Sequence, residues 1–241
     1  MKKAAKPPCL WGRAKAFICC CLVGASLGVP AVASDLGLSA TLANDYVLRG
    51  VSHSAGRGTL GFDLSWQASP HWNVSAGYAL LNVDSQGQRS LITVSLARRW
   101  VLDGDWSGSL GWTHYAYPGS TNRRAYDADE WIGAMSYGDQ WTGILSYLPN
   151  STHLRNDGSV GKDAALAVEL NWHRRLLGRL ALDIGVGALQ YSYTGYRYGS
   201  VALSWGVGPV QGSLSVIASD AASQYLAPGS RAGQRWVAAL I

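Results

Sequence analysis

Residues 60–67 read Leu-Gly-Phe-Asp-Leu-Ser-Trp-Gln, in which large apolar residues alternate with small or polar ones. Successive side chains of a β-strand point to opposite faces, so the apolar residues share one face and Asp63 lies on the other. A tight Ser69-Pro70-His71 turn follows, and a second alternating run begins at Trp72. The stretch therefore predicts a β-hairpin with one apolar and one polar face.

The same alternation recurs through the rest of the chain. We identify twelve such runs, at residues 38–49, 59–68, 72–81, 90–99, 106–117, 129–136, 141–148, 163–173, 180–191, 198–205, 210–217 and 235–241. Most are close to the ~9–11 residues that cross a bilayer as a tilted strand. The predicted fold class is all-β: one transmembrane antiparallel β-barrel of about 12 strands, with 10 as the alternative if the short terminal runs are miscounted.

The links between the runs support a barrel. Short turns alternate with longer links that are rich in Gly, Ser, Asn, Asp and Pro, as expected when both termini lie at one end of a barrel. A soluble β-sandwich also alternates, but here Gly, Ala and Ser recur on the polar face of nearly every run. Small inward residues suit a crowded, hydrated lumen better than an exposed sheet face.

Residues 1–33 differ in composition from the rest and have the features of a cleaved signal peptide. An apolar stretch at 16–30 precedes Ala31-Val32-Ala33, an A-x-A-type cleavage site before Ser34. Ahead of it lies a basic region made of Lys2, Lys3, Lys6, Arg13 and Lys15. The predicted domains are therefore a signal peptide at 1–33 and an outer-membrane β-barrel at 34–241.

Removing this leader changes the charge of the protein. The whole chain has 20 Lys and Arg against 15 Asp and Glu, and the five basic leader residues leave 15 of each sign in the mature chain. The basic balance of the full sequence is therefore no argument for a nucleic-acid partner. All four cysteines (Cys9, Cys19, Cys20 and Cys21) also lie in the leader, which excludes disulfides and thiolate metal sites from the mature chain.

Aromatic usage points to a membrane. The sequence has 11 Trp and 12 Tyr but only 2 Phe. Trp and Tyr combine an apolar ring with a polar tip, and outer-membrane barrels carry girdles of them where hydrocarbon meets water. We therefore expect the bacterial outer membrane of a Gram-negative organism as the location.

Residues 44–53, Asn-Asp-Tyr-Val-Leu-Arg-Gly-Val-Ser-His, resemble the D-Y-x-x-R-G-x-S signature of the TorF family of putative outer-membrane porins. Tyr115-Ala116-Tyr117-Pro118-Gly119 is similar to a later Y-x-Y-P-G segment of that family, and the acidic strand that follows it matches Asp129-Glu130-Trp131. The resemblance implies an outer-membrane barrel with a presumed role in transport. It names no solute.

Charged residues on the predicted inner face are the candidate functional residues. Asp45 and Arg49 lie four apart on the predicted first strand, so we expect both to face the lumen. The full set of candidates for the pore lining or constriction is Asp45, Arg49, Asp63, Glu130, Glu169, His173 and Asp183. They either form a network that holds the wall together or form a charged constriction that selects ions. Because acids outnumber bases in this set, the second interpretation predicts a weak cation preference.

The leading functional prediction is a porin-like channel for passive diffusion of ions or small hydrophilic solutes, without enzymatic activity or cofactor. One alternative is a structural or adhesive barrel plugged by its own side chains, for which Arg49, Tyr115 and Tyr117 are large enough. A less favoured alternative is an outer-membrane hydrolase, because His173 shares a face with Glu169. No G-x-S-x-G serine or H-E-x-x-H spacing accompanies that histidine, so no catalytic, cofactor-binding or metal-ligating residue is predicted.

The expected partners follow from this location. They are outer-membrane lipid and lipopolysaccharide, ions or small solutes, and the barrel-assembly machinery during biogenesis. Arg123-Arg124, in a predicted outer loop, is a candidate contact for lipopolysaccharide phosphates. Barrels of this kind often end in an aromatic residue that assists assembly, whereas this sequence ends in Ile241.

Overall fold

The computed structural model describes residues 36–81, 90–118, 126–154, 160–220 and 233–241. The regular elements in these ranges are β-strands: β1 Leu36–Ala43, β2 Val47–Leu48, β3 Val51–Ser52, β4 Thr59–Gln67, β5 Trp72–Leu80, β6 Ser90–Val101, β7 Trp106–Ala116, β8 Ala128–Tyr137, β9 Trp141–Leu154, β10 Val160–Leu177, β11 Leu180–Tyr191, β12 Gly195–Val207, β13 Val210–Ser219 and β14 Arg235–Leu240. None of the residues described forms a helix long and apolar enough to cross a membrane.

Twelve of these strands close into one antiparallel barrel. Each strand from β4 to β14 pairs with the next in sequence, and β1 closes the ring by pairing with both β4 and β14. The other two strands, β2 and β3, form a separate small sheet. The predicted fold class is thus confirmed with twelve barrel strands, and the alternative of ten is wrong.

The two ends of the barrel differ. At one end, here called the turn end, the connections are the short segments 68–71, 102–105, 138–140, 178–179 and 208–209. Four of these turns contain a glycine with φ between 54° and 67°, a conformation that residues with a Cβ rarely adopt. The opposite end, the loop end, carries the connection between β1 and β4, which determines the shape of the lumen.

The outer face of the barrel is apolar, as a lipid-facing wall requires. Leu64, Val168, Val186 and Leu214 are among the outward residues of the strands and are 43–55% exposed. Near the turn end the outward aromatic residues form a belt, each 36–52% exposed: Trp66, Trp72, Trp100, Trp106, Tyr137, Trp141 and Trp205. A belt of aromatic rings beside an apolar band is the surface of a membrane-spanning barrel.

One sequence prediction about the strands is wrong. The first run was expected to continue to residue 49, but β1 ends at Ala43, so Asp45 and Arg49 do not lie on a barrel strand. The reason is local backbone geometry: Arg49 and Gly50 have φ of 49° and 76°, which an extended strand does not allow. After Ala43 the chain instead leaves the wall, and residues 44–58, here called the inserted segment, fold into the barrel.

The inserted segment is held in the lumen by three buried apolar clusters. Tyr46 packs in a cluster with Leu81, Leu91, Tyr115 and Tyr117. Val51 joins a second cluster on the opposite wall, formed mainly by residues of β10, β11 and β12. Val47 packs with Ile217 and Val237 of β13 and β14. Contacts to three parts of the wall place the inserted segment across the lumen.

Candidate functional site

The inserted segment is organised around a two-residue turn. Val47 pairs with Ser52 and Leu48 with Val51, so Arg49 and Gly50 are the two residues between the short strands β2 and β3. Both have positive φ, as in a type I′ hairpin turn. Positive φ is uncommon for a residue with a side chain, and such residues cluster at functional positions. The turn carries the Arg49 side chain toward the wall.

Gly50 lies against the barrel wall, where a side chain has no space. A Cβ at this position would be 2.6 Å from Cβ of Tyr198 and 3.0 Å from Cβ of Ser219. Ser219 Oγ also donates a 2.8 Å hydrogen bond to the Gly50 carbonyl oxygen. Both the backbone conformation and the close approach therefore require glycine at position 50.

Asp45 closes the base of the inserted segment. Its Oδ1 accepts hydrogen bonds from the Ser52 hydroxyl at 2.6 Å, the Ser54 hydroxyl at 2.7 Å and the Gly56 amide at 3.2 Å. Its Oδ2 accepts a 3.2 Å hydrogen bond from the guanidinium of Arg235 on β14. Asp45 is 5% exposed, so these partners replace water around a buried carboxylate.

The Arg49 guanidinium contacts two buried carboxylates of the wall. Nε donates a 3.0 Å hydrogen bond to Glu169 Oε1, and Nη2 donates to Glu130 Oε1 and to Ser146 Oγ. The Tyr115 hydroxyl donates to the other oxygen of Glu130 at 2.8 Å. We call these five residues the arginine cluster. Glu130 is 0%, Glu169 4% and Arg49 6% exposed, so the cluster is shielded from the lumen.

The electrostatic environment holds Arg49 charged. Burial by itself lowers the pKa of Arg49, but Glu130, Tyr115 and Glu169 raise this pKa well above its ordinary value. One guanidinium faces two carboxylates, which makes the cluster acidic by one charge when both are ionised. The arrangement joins the inserted segment to β8 and β10.

Asp63 has a different environment from the other candidates. Its side chain is exposed, although β4 directs it into the barrel. Within the described part of the chain, no hydrogen bond or ion pair engages its carboxylate, whereas Asp45, Glu130, Glu169 and Asp183 are all paired. Asp63 lines a cavity of about 40 Å³ that opens to solvent and lies between the inserted segment and the wall formed by β1, β4, β5, β6, β13 and β14.

His173 and Asp183 lie directly opposite each other on β10 and β11. His173 Nδ1 is 2.6 Å from Asp183 Oδ1, and the Ser204 hydroxyl donates a 3.1 Å hydrogen bond to the other carboxylate oxygen. The sequence had associated His173 with Glu169, but Glu169 instead contacts Arg49. Ser204 bonds to the acid rather than to the histidine, so the three residues are not ordered as a serine nucleophile, base and acid.

The structure divides the predicted network into separate groups. Arg49 contacts Glu130 and Glu169, Asp45 contacts Arg235, His173 contacts Asp183, and Asp63 stands apart. Sequence reasoning missed Arg235 and the hydroxyl partners Ser52, Ser54 and Ser146. The available signal for these contacts was the pair of serines, Ser52 and Ser54, that follows Asp45, because short hydroxyl side chains near an aspartate often close turns. In the described ranges, no three His, Cys, Asp or Glu residues are grouped to hold a metal ion.

Several solved structures share this fold. Among them are the NanC porin (TM-score 0.58, 11% identity, 84% of this chain and 98% of that chain), the KdgM porin (TM-score 0.54, 12% identity, 84% and 96%) and the COG4313 outer membrane channel from Pseudomonas putida F1 (TM-score 0.53, 11% identity, 90% and 96%). At these identities the similarity establishes the fold. No protein-family model and no curated protein matches the chain. The chain thus has the barrel fold seen in porins and outer-membrane channels.

Proposed function

We propose that this protein is an outer-membrane channel through which ions or small hydrophilic solutes diffuse, and that the inserted segment forms its constriction. The observation that carries the proposal is that the inserted segment lies across the lumen and leaves a cavity beside it. Asp63, at the wall of that cavity, is exposed to solvent although it lies inside the barrel.

The composition of the inner wall supports passage of hydrophilic solutes. Small hydroxyl side chains recur at inward positions of consecutive strands, including Ser39, Thr41, Ser65, Ser75, Thr93, Ser95, Thr113, Ser213 and Ser215. Such residues offer hydrogen bonds to a passing solute and occupy little volume. The channel needs neither a cofactor nor covalent chemistry, and the proposal therefore does not include enzymatic activity.

The location follows from the outer face. A closed barrel with an apolar outer band and an aromatic belt suits the bacterial outer membrane, with the turn end in the periplasm. The lipid, lipopolysaccharide and barrel-assembly machinery predicted from the sequence remain the proposed partners. Arg123-Arg124 lies outside the described residues.

The resemblance to the TorF family of putative porins gains a physical basis from the contacts of the motif. Asp45 and Ser52 hydrogen-bond to each other, Arg49 reaches two wall carboxylates, and Gly50 occupies a place that admits no side chain. Each of these motif residues therefore acts in holding the inserted segment. We propose membership of that family on these residues.

The proposed maturation removes residues 1–33, which lie outside the described part of the chain. Expression with the full sequence in a Gram-negative host, followed by intact-mass analysis of the outer-membrane protein, tests this. A mature N-terminus at Ser34 is the expected result. A protein that retains residues 1–33 in the membrane would contradict it.

A barrel that is permanently plugged is the second candidate, and the packing of the inserted segment favours it. Tyr46, Val47 and Val51 are each 4% exposed and fill space in three apolar clusters. If the cavity does not extend through the barrel, this packing would have to rearrange before a solute could pass. The two candidates differ in whether the native protein conducts ions, which is directly measurable.

Single-channel conductance in a planar bilayer distinguishes the candidates. The mature protein is compared with a variant in which residues 46–57 are replaced by a short Gly-Ser linker, and heat-modifiable migration verifies folding of both. Discrete openings of the native protein, with larger openings in the variant, are the result that a constricted channel predicts. Conductance of the variant alone supports the plugged barrel, and a folded pair that never conducts contradicts the channel.

A further inference from the structure

Asp63 is an ionisable side chain that faces the lumen and has no counter-charge among the residues that the structure describes. Of the other candidate carboxylates, Glu130 and Glu169 contact Arg49, Asp183 contacts His173, and Asp45 contacts Arg235. Those contacts neutralise much of the negative charge that a passing ion would otherwise meet. Among the described residues that line the cavity, Asp63 therefore carries a negative charge that no paired cation offsets.

The neighbouring strands leave space in front of this carboxylate. Asp63 pairs with Gly77 of β5, which in turn pairs with Thr93 of β6. A Cβ on Gly77 would be 2.7 Å from Asp63 Oδ1 and 2.5 Å from Thr93 Oγ1. The absence of a side chain at position 77 thus lets a carboxylate and a hydroxyl converge on one point of the lumen, where both can accept hydrogen bonds from the same donor.

The rest of the cavity lining is largely apolar. Val47, Ala79, Leu91, Ile217 and Val237 face the same space as Asp63. A solute that combines a positive group with a small hydrocarbon body would match both features. A hydrated metal ion would gain nothing from the apolar walls.

Among the described residues of β6, the basic side chain on the same inner face is remote from Asp63. Arg99 lies six positions beyond Thr93 on β6, toward the turn end. At roughly 3.3 Å per residue, that distance is about 20 Å along the strand, which is beyond the Debye length of about 8 Å at physiological salt. Arg99 therefore leaves the field at Asp63 nearly unchanged.

We infer that Asp63, together with Thr93 across Gly77, forms a cation-binding position in the lumen that favours small organic ammonium solutes. This inference rests on the proposed channel function and assigns its specificity. The positive group binds at the carboxylate and the hydroxyl, while the hydrocarbon body contacts the apolar wall. The arginine cluster takes no part in this selection.

The first test is the reversal potential of the reconstituted channel in salt gradients, with methylammonium chloride as the probe and potassium chloride as the reference. Asp63→Asn should lower the cation-to-anion permeability ratio about fivefold, the factor that corresponds to roughly 1 kcal/mol between two charges ~4 Å apart in water. Asp105→Asn, which removes the same charge from an exposed turn, is the matched control and should leave the ratio unchanged. In the native protein, but not in Asp63→Asn, the cation-to-anion permeability ratio measured with methylammonium chloride should exceed the ratio measured with potassium chloride.

These outcomes separate the two proposals. A conducting channel whose selectivity is the same with Asp63→Asn overturns the role of Asp63 and leaves the channel intact. A native channel that prefers chloride also overturns it. A folded barrel without conductance overturns the channel function and this inference together.

A second measurement does not require conductance. The mature sequence has no cysteine, so Thr93→Cys introduces a single thiol beside Asp63. In detergent micelles a cationic methanethiosulfonate should modify it faster than an anionic one, and the added change Asp63→Asn should reduce that rate ratio about fivefold. Ala167→Cys, at a position 1% exposed on the opposite wall, is the control and should stay unmodified. The inference is overturned if the Cys at position 93 is unreactive, or if Asp63→Asn leaves the ratio of the two modification rates unchanged.

Discussion

Arg49 and Glu169 are 120 residues apart in the chain, yet a 3.0 Å hydrogen bond joins Nε of Arg49 to Oε1 of Glu169 inside the barrel. The contact connects the turn of the inserted segment to the middle of the longest strand, β10. The same guanidinium also reaches Glu130 of β8. One arginine therefore joins the inserted segment to two strands of the wall.

Arg49→Ala should destabilise the protein strongly. The substitution leaves Glu130 and Glu169 buried without their counter-charge, and breaking a buried ion pair by removing one partner costs about 3–5 kcal/mol. Urea unfolding in micelles, followed by tryptophan fluorescence, measures the change in the free energy of unfolding. Arg57→Ala, at an exposed position of the same segment, is the control and should change it by no more than about 0.5 kcal/mol. Equal stabilities of the two variants would contradict a holding role for Arg49.

Gly50→Ala and Gly56→Ala form a matched pair. Both glycines have φ of 76°, so an alanine at either position carries a similar backbone strain, about 1–2 kcal/mol. A Cβ at position 50 also meets Tyr198 at 2.6 Å, whereas a Cβ at position 56 meets nothing within 4 Å. We expect Gly50→Ala to lower the free energy of unfolding more than Gly56→Ala does. A difference near zero in the same unfolding assay would show that the inserted segment does not approach β12 as described.

Glu130→Gln should affect stability but not ion selectivity. Glu130 is 0% exposed and its carboxylate contacts Arg49, so a passing ion does not contact it. We expect a reduced free energy of unfolding, because the charged partner of Arg49 becomes neutral, together with an unchanged reversal potential. Bilayer measurements beside Asp63→Asn check this. A selectivity change as large as that of Asp63→Asn would place Glu130 on the conduction path.

His53 should make stability depend on pH. It lies on the inserted segment, where burial lowers its pKa to about 4 and Asp45 opposes that shift only in part. In the unfolded chain a histidine titrates near 6.5, so the unfolded state binds more protons between about pH 4 and 6.5. The contribution of neutral His53 to stability is then complete above about pH 6.5 and is lost as the pH falls toward 4. Unfolding at pH 7.5, 5.5 and 4.5 measures it, and His53→Asn should flatten the slope. Parallel pH profiles for the two proteins would contradict the prediction.

The barrel could be predicted because the evidence for it is local. The alternation in residues 60–67 depends on residues two apart, and the same period recurs in every strand from β4 to β14. Turn residues such as Gly138 and Gly208 mark the ends of strands by their backbone freedom, which is also a local property. Face assignment followed from the same period, so Asp63, Glu130, Glu169, His173 and Asp183 were expected on the inner wall from sequence alone.

The partners of those residues could not be predicted in the same way. Asp45 and Arg49 have the spacing of a continuing strand, and the positive φ of Arg49 has no signature in that spacing. The pairing of Glu169 with Arg49 rather than with His173 depends on how far the inserted segment reaches across the lumen. A hairpin register of β10 and β11 was needed to bring His173 opposite Asp183.

By itself, the sequence determined the all-β class, a count of about twelve barrel strands and the apolar outer face, because these depend on the two-residue period of side chains along each strand. Only the tertiary structure decided that residues 44–58 enter the barrel, that one arginine joins two carboxylates, and that Asp63 lies beside an open cavity with no partner among the described residues. Those features depend on distances between residues that are up to 190 positions apart, such as Asp45 and Arg235, and such distances exist only once the barrel has closed.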